Sequence, residues 1–315
     1  MKSKQDKEKN FVSAVIYIHN DEERIETFLH MLCQILEDNF LKAEIICVND
    51  ASKDKSVEII RSVSSKVKNI SITIINMNEY HGVELAMNAG VDLAIGDFVF
   101  EFDEALADFA SDCVMDVYRC SLGGYDIVTA SPAGRREKSS RLFYSLFARF
   151  SSQSLSLDTE RFRILSRRAI NRIASMNKGV PYRKAIYASA GFPTKTIVYQ
   201  PECVENISRS TEEKEYRERL AFDAMLLFTD IGYRVTMRLT EIMMVFTVLV
   251  GIYVIIAYLA ANPTAGWATT MGFLSFAFFA LFSIMTIVVK YLQIIINLIF
   301  KRKRYTFTGI EKLTK

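Results

Sequence analysis

The chain has 315 residues, 50% of them hydrophobic, and a formal net charge of +3 at pH 7. This length can bury at least one complete hydrophobic core. So small a net charge argues against a nucleic-acid-binding protein, which needs a concentrated basic surface.

The first part of the chain alternates short apolar segments with segments of helical periodicity. The apolar segments are 12–18, 43–48, 70–77 and 97–103, and a helical pattern follows each of them. Four repeats of strand and helix predict an α/β domain built around a mostly parallel sheet. Ligands of such sheets bind beyond the carboxyl ends of the strands, so a functional site is expected there.

Polar side chains follow all four predicted strands. They include Asn20 and Asp21, then Asp50, then Asn78, and finally Glu101 and Asp103. One polar strand end would mean little, because Asp and Asn are common in turns and helix caps. Four polar ends along one edge of a sheet indicate a binding site. For Asp50 the alternative is a capping role at the helix that begins near Lys53.

The segment "EFDEALAD" at 101–108 places four carboxylates directly after the fourth strand. Residues two apart in a strand share one face, so Glu101 and Asp103 form a candidate carboxylate pair for a divalent cation. Glu104 is expected on the opposite face. The alternative is that Glu101 faces solvent on an edge strand.

Two uncharged apolar runs, 242–261 and 263–289, occupy the last quarter of the chain. Each is long enough to cross a hydrocarbon layer of ~30 Å as a helix, which takes about 20 residues. Two buried core helices are the alternative, but they would have to be apolar on every side. Basic residues before the first run and "KRKR" after the second predict that both flanks are cytoplasmic.

These patterns predict three parts of the chain. Residues 1–238 would form a cytosolic domain, 239–290 would hold two transmembrane helices at about 242–261 and 267–289, and 291–315 would be a basic cytoplasmic tail next to the membrane.

Four stretches together resemble the family-2 glycosyltransferases of the GT-A fold. They are "VSAVIYIHNDEERI", "AEIICVNDASKDKSVEII", "GVELAMNAGVDLAIGDFVFEFD" and "RFRILSRRAINRI". The two apolar runs followed by "KYLQIIINLIFKRKRYTF" are similar to the branch that makes polyprenyl-phosphate sugars, such as dolichol-phosphate mannose synthase and bacterial undecaprenyl-phosphate glycosyltransferases. The resemblance covers nearly the whole chain, in order.

The resemblance implies an inverting glycosyltransferase of the inner or plasma membrane. It would move a sugar from a UDP- or GDP-linked donor to a polyprenyl phosphate on the cytoplasmic face, for cell-envelope polysaccharide or glycan modification. Charge on the diphosphate would be balanced with the help of Mg²⁺ or Mn²⁺. A homo-oligomer is compatible with the glycines of the apolar runs. The residues implied in donor binding are Asn20, Asp21, Asp50 and Asn78, with Arg135 and Lys138 in the basic loop "GRREK".

The chain departs from the family pattern at three places. The Asp-x-Asp motif keeps only Asp103 as its first acid, which leaves Glu101 as the candidate second metal ligand. The segment Asp-x-Gly-Asp-Phe-Arg reads "DTERFR", so Glu160 and Arg161 stand where glycine and an acid would be. Tyr17 replaces a usual proline.

The chemistry of the acceptor decides whether these losses matter. A polyprenyl phosphate has a second pKa of about 6, so at neutral pH it already carries the nucleophilic oxyanion and needs no general base. Arg161 and Arg163 are then expected to hold that phosphate, and Asp103 is the third candidate catalytic residue. For each basic residue the alternative is a place in a solvated basic loop. The departures leave a second class open, a catalytically impaired homologue that serves as a nucleotide- or partner-binding membrane module.

Overall fold

The computed structural model describes residues 7–133, 160–175, 182–202 and 306–313, with individual residues between 215 and 295. Most of the two predicted spans lies outside the described residues. Within the described part of the chain, no helix has the length and hydropathy that a membrane crossing requires.

Four strand–helix units open the fold, as predicted. They are β1 (Val12–Ile18), α1 (Ile25–Asn39), β2 (Ala43–Asn49), α2 (Ser56–Lys66), β3 (Ser71–Met77), α3 (Val83–Leu93), β4 (Phe98–Phe102) and α4 (Ser111–Leu122). The elements that follow are β5 (Ile127–Pro132), β6 (Phe162–Ser166), α5 (Arg167–Ser175), α6 (Arg183–Ser189), β7 (Thr194–Tyr199) and β8 (Phe307–Lys312).

The eight strands form one mixed sheet in the order β7-β5-β6-β4-β1-β2-β3-β8. Strands β1 to β4 are mutually parallel, which confirms the predicted parallel centre. By contrast, β6 runs antiparallel to β4 and β5, and β8 runs antiparallel to β3. Because β1 to β4 point the same way, their carboxyl ends meet at one edge. We call this edge the rim; it comprises residues 19–21, 49–52, 78–82 and 103–108.

Hydrophobic clusters cover both faces of the sheet. Alternate residues of β1 belong to different clusters: Ile16 packs in the cluster that includes α1 and α4, and Val15 packs in the one that includes α3. Every residue of β1 is buried. Burial on both faces explains why the strands read as continuous apolar runs instead of alternating ones. Gly90 lets α3 approach closely, since a Cβ there would lie 2.3 Å from a methyl group of Val15.

Strand β8 was not predicted. It lies within the segment expected to be a basic tail, yet it extends the sheet by pairing with β3, with Ile310 opposite Ile75. Its residues are exposed or half-buried, so no buried apolar face marks them in the sequence. The prediction for 291–315 is therefore corrected at 307–312, which belong to the folded domain.

Candidate functional site

Asp50 lies at the end of β2 and is fully buried. Its Oδ1 accepts a hydrogen bond from the backbone N–H of His81, at 2.8 Å. Its Oδ2 accepts bonds from the backbone N–H of Gly82, at 2.7 Å, and from the Tyr17 hydroxyl, at 3.0 Å. Burial raises the pKa of this carboxyl, and the two backbone N–H groups partly offset that rise. The capping alternative is wrong, because Asp54 is the residue that accepts a backbone N–H at the start of α2.

Strained backbone follows the first two strands. Asn20 and Ala51 come directly after the ends of β1 and β2, with positive φ angles of 55° and 54°. This conformation costs roughly 1–2 kcal/mol for Ala51, whereas Asn adopts it more readily. Asn20 Oδ1 accepts the backbone N–H of Lys53, at 2.8 Å, which joins the two strand ends. Strain held in place by such bonds is typical of functional sites.

The two other donor-side residues predicted from the sequence also lie at the rim. Asp21 is buried, accepts the backbone N–H of His19 and forms an ion pair with Arg24 at 2.5 Å. Burial raises the pKa of Asp21, against the lowering effect of those partners. Asn78 is exposed, and its Oδ1 accepts the hydroxyl of Thr306 at 2.5 Å. Thus the structure brings together Asn20, Asp21, Asp50 and Asn78, whereas Arg135 and Lys138 lie outside the described residues.

Glu101 and Asp103 share one face, as predicted, and both bind the same two arginines. Arg163 donates from Nη1 to Glu101 at 2.7 Å and from Nη2 to Asp103 at 2.6 Å. Arg183 makes the equivalent bonds at 2.8 and 2.6 Å. The strand register creates this contact, because Arg163 on β6 stands directly opposite Glu101 on β4. We call these four residues the acid–arginine cluster.

Glu101 does not fit the metal-ligand role predicted for it. Its side chain is fully buried, with Oε2 accepting from both arginines of the cluster and Oε1 accepting from the Tyr187 hydroxyl at 2.7 Å. The solvent-facing alternative is also wrong, because β4 lies between β1 and β6 rather than at an edge. Glu101 is therefore a buried counter-ion for two guanidinium groups.

Of the two acids, Asp103 alone reaches solvent. Its side chain is 16% exposed at the rim, and each of its oxygens accepts one arginine bond, which leaves acceptor capacity on both. Burial opposes ionisation, but the charges of Arg163 and Arg183 outweigh it and hold the pKa of Asp103 below its usual range. Among the described residues, no group of three or more His, Cys, Asp or Glu could hold a metal ion.

The two arginines predicted to hold the acceptor phosphate are differently placed. Arg163 is fully buried, and its Nε, Nη1 and Nη2 donate to Glu160, Glu101 and Asp103. A fully buried guanidinium cannot contact a phosphate directly, so this placement does not support the role predicted for Arg163. Arg161 is 20% exposed and pairs with Glu104 at 2.6 Å and Asp108 at 2.7 Å. Arg161 remains the arginine nearer to solvent.

The sequence reasoning missed Arg183 and Glu84. Arg183 begins α6, and Glu84, in the first turn of α3, accepts both its backbone N–H at 2.8 Å and its Nε at 3.0 Å. Both side chains are buried. The available signal was the spacing of Arg183 and Tyr187, which are four residues apart and so share one helix face. Both of these side chains donate hydrogen bonds to Glu101.

Comparison with known proteins identifies the family. Residues 13–174, just over half of the chain, match the sequence profile of Glycosyl transferase family 2. The chain belongs to this family. The match confirms the prediction that the chain is a family-2 glycosyltransferase.

Individual relatives extend the comparison. An uncharacterized glycosyltransferase of Synechocystis is 28% identical over 197 residues, which are 61% of this chain and 61% of that protein. An uncharacterized glycosyltransferase of Bacillus subtilis matches over 59% of its length, so these two alignments span about three-fifths of the relatives. A bactoprenol glucosyl transferase of Shigella phage SfV is 26% identical over 268 residues, covering 82% of this chain and 86% of the phage protein.

A solved structure shares the fold. Glucosyl-3-phosphoglycerate synthase from Mycobacterium tuberculosis, in complex with Mn²⁺, UDP-glucose and phosphoglyceric acid, superposes with a TM-score of 0.50. The sequences are 14% identical, and the superposition covers 69% of this chain and 79% of the other. The likeness supports the predicted α/β architecture of GT-A type for the described sheet and its helices.

Proposed function

We propose that the chain transfers a sugar from a nucleotide-diphosphate donor to a polyprenyl phosphate. The observation that carries this proposal is the extent of the likeness to the bactoprenol glucosyl transferase of Shigella phage SfV. It covers 82% of the chain and so continues well beyond residue 174, where the family-2 match ends. A relative from Edwardsiella ictaluri, named undecaprenyl-phosphate 4-deoxy-4-formamido-L-arabinose transferase, is 26% identical over 46% of the chain.

The rim is the proposed donor site. The ends of β1 to β3 offer polar side chains and backbone groups to a nucleotide, beside Asp103 at the end of β4. A Mg²⁺ or Mn²⁺ ion bound by Asp103 would stabilise the negative charge on the leaving diphosphate. The presence of Mn²⁺ in the mycobacterial structure supports a divalent cation in general. Arg163 and Arg183 hold the Asp103 carboxylate ionised and in place.

The acceptor side needs little acid–base chemistry. A phosphate monoester with a second pKa of about 6 is mostly dianionic at neutral pH, so its oxygen attacks the sugar without losing a proton to the protein. Arg161, which is partly exposed beside Glu104 and Asp108, is the described arginine best placed to meet that phosphate. Its Nε and Nη2 face Asp108 and its Nη1 donates to Glu104, so a phosphate would bind through the remaining N–H groups of Nη1 and Nη2.

The membrane anchor is proposed as a hairpin of the two uncharged runs, 242–261 and 267–289, with the domain and both flanks in the cytoplasm. Strand β8 supports this topology. Because β8 pairs with β3 in the same sheet as β1, the chain between residues 202 and 306 must return to the side from which it left. Any membrane crossings in that stretch are therefore even in number, as a hairpin requires.

A donor panel tests the function. Purified protein is incubated with UDP- and GDP-linked sugars, with and without undecaprenyl phosphate, and the lipid fraction is analysed by mass spectrometry. We expect one donor to give a lipid-linked monosaccharide only when the lipid is present. Nucleotide binding without product from any donor would instead favour the catalytically impaired homologue.

A further inference from the structure

Strand β8 is joined to the rim by the residue that precedes it. Thr306, which immediately precedes the strand, donates its hydroxyl to Asn78 Oδ1 at 2.5 Å. Its carbonyl oxygen accepts the backbone N–H of Asn78 at 3.3 Å. Its own backbone N–H donates to Nε2 of His81 at 3.4 Å. Three hydrogen bonds, with a further contact of 3.5 Å between the Thr306 hydroxyl and Nε2 of His81, therefore connect Thr306 to the loop 78–82.

The same loop holds Asp50. The Nδ1 of His81 faces the backbone carbonyl of Glu79 at 2.6 Å, and a carbonyl oxygen can only accept, so Nδ1 carries the proton. Nε2 is then an acceptor, which matches the N–H of Thr306. The backbone N–H groups of His81 and Gly82 in turn bind the Asp50 carboxylate. A continuous chain of contacts thus runs from Thr306 to Asp50.

The other end of β8 has a different attachment. Glu311 forms a bidentate ion pair with Arg61 of α2, at 3.0 and 3.1 Å, and both side chains are nearly half exposed. In the antiparallel register Glu311 stands opposite Ile74, in the middle of β3 and away from the rim. The strand therefore has one attachment at the rim and one remote from it.

We propose that Thr306 is a positioning residue of the donor site, which β8 supplies to the rim. It fixes the loop 78–82 and, through His81 and Gly82, the orientation of the Asp50 carboxylate that receives the nucleotide. This inference rests on the proposed function, because it assigns the rim to a nucleotide donor. In this proposal, the segment that follows the membrane anchor contributes a residue to the donor site, besides adding strand β8 to the sheet.

The test compares Thr306→Val with Glu311→Gln in the full chain. Valine keeps the size and backbone bonds of Thr306 and removes the hydroxyl, which bonds Asn78 and lies 3.5 Å from Nε2 of His81. We expect Thr306→Val to weaken UDP or GDP binding about three- to ten-fold in calorimetry, the usual effect of one lost hydrogen bond. Glu311→Gln, which loosens the remote attachment, should change the dissociation constant less than about two-fold. Thr306→Ser keeps a hydroxyl and should bind as the wild type does.

Hydrogen exchange gives a second readout that needs no ligand. Thr306→Val should speed exchange of the amides of His81 and Gly82, whereas Glu311→Gln should leave them unchanged. Equal exchange in both variants would overturn the inference, as would unaltered nucleotide affinity in Thr306→Val. If the wild type bound neither nucleotide, the proposed function would fail, and the exchange rates alone would still decide whether Thr306 positions the loop.

Discussion

Asp50 and the acids of the acid–arginine cluster are held by different means. On the donor side, neutral groups bind Asp50, namely two backbone N–H groups and a tyrosine hydroxyl. In the acid–arginine cluster, two buried guanidinium groups bind Glu101 and Asp103. Consequently burial dominates at Asp50 and raises its pKa, whereas positive charge dominates at Asp103 and lowers its pKa.

The difference shows how one sheet edge can serve two tasks. Neutral donors leave Asp50 sensitive to the position of a loop, which suits the recognition of a ligand. Paired charges hold Asp103 rigidly, but removing one partner would leave an uncompensated charge in the interior. Substitutions on the two sides should therefore differ in size and in their dependence on pH.

The largest effect is expected from Arg163→Met. This change leaves the fully buried Glu101 with one guanidinium fewer and should destabilise the domain by about 3–5 kcal/mol. Thermal unfolding followed by circular dichroism measures the loss. Arg168→Met is the matched control, because Arg168 forms one ion pair with Asp126 and its side chain is 72% exposed. A melting temperature of Arg163→Met equal to that of the control would contradict the structural role of the cluster.

Gly82→Ala should have the next largest effect, on the donor side. Gly82 has a φ of +79°, and a Cβ there would lie 2.2 Å from the ring of Tyr216. Strain and overlap together should cost roughly 2–4 kcal/mol and displace a donor of Asp50. Gly191→Ala is the control, with a similar φ of +71° and no atom within 4 Å of the added Cβ. Nucleotide affinity and melting temperature should fall further in Gly82→Ala than in Gly191→Ala; equal losses would refute the close packing.

The pH dependence should have opposite sign on the two sides. The lowered pKa of Asp103 contributes stability that is present above about pH 4, the unfolded value, and is lost as pH falls through the native pKa. The raised pKa of Asp50 contributes stability that is present below about pH 4 and is lost as pH rises through its native pKa. Each unit of pKa difference is worth about 1.4 kcal/mol.

Melting temperatures of Asp103→Asn and Asp50→Asn, measured from pH 3 to pH 8, check these signs. The difference in melting temperature between wild type and Asp103→Asn should become smaller as the pH falls below about 4. The melting temperature of the wild type should rise relative to that of Asp50→Asn as the pH falls towards about 4. Parallel curves for the two variants would show that neutral donors and guanidinium groups hold the acids in the same way.

Much of the fold could be predicted because burial on both faces leaves a strong pattern. Strands β1 to β4 are covered by helices on each side, so they appear as apolar runs, and the polar residues after them mark the rim. Strand β8 lacks such a pattern, since it lies at an edge and pairs with a strand more than 200 residues earlier in the chain.

The acid–arginine cluster shows what local pattern cannot reveal. Alternation correctly placed Glu101 and Asp103 on one face, but it carries no information about what covers that face. The covering groups, Arg163 and Arg183, come from positions 62 and 82 residues after Glu101. A carboxylate pair open to a metal and one closed by arginines therefore look the same in sequence.

Formation of a lipid-linked sugar by wild type, Asp103→Asn and Asp97→Asn is the most direct measurement. Asp97 precedes the same strand at its opposite end, where it accepts the backbone N–H of Phe11, so the same substitution is made away from the rim. With the best donor and undecaprenyl phosphate, we expect wild type and Asp97→Asn to form product at similar rates. Asp103→Asn should be slower by about 10²–10³-fold. Wild-type rates from folded Asp103→Asn would contradict the assignment of the rim as the site of transfer.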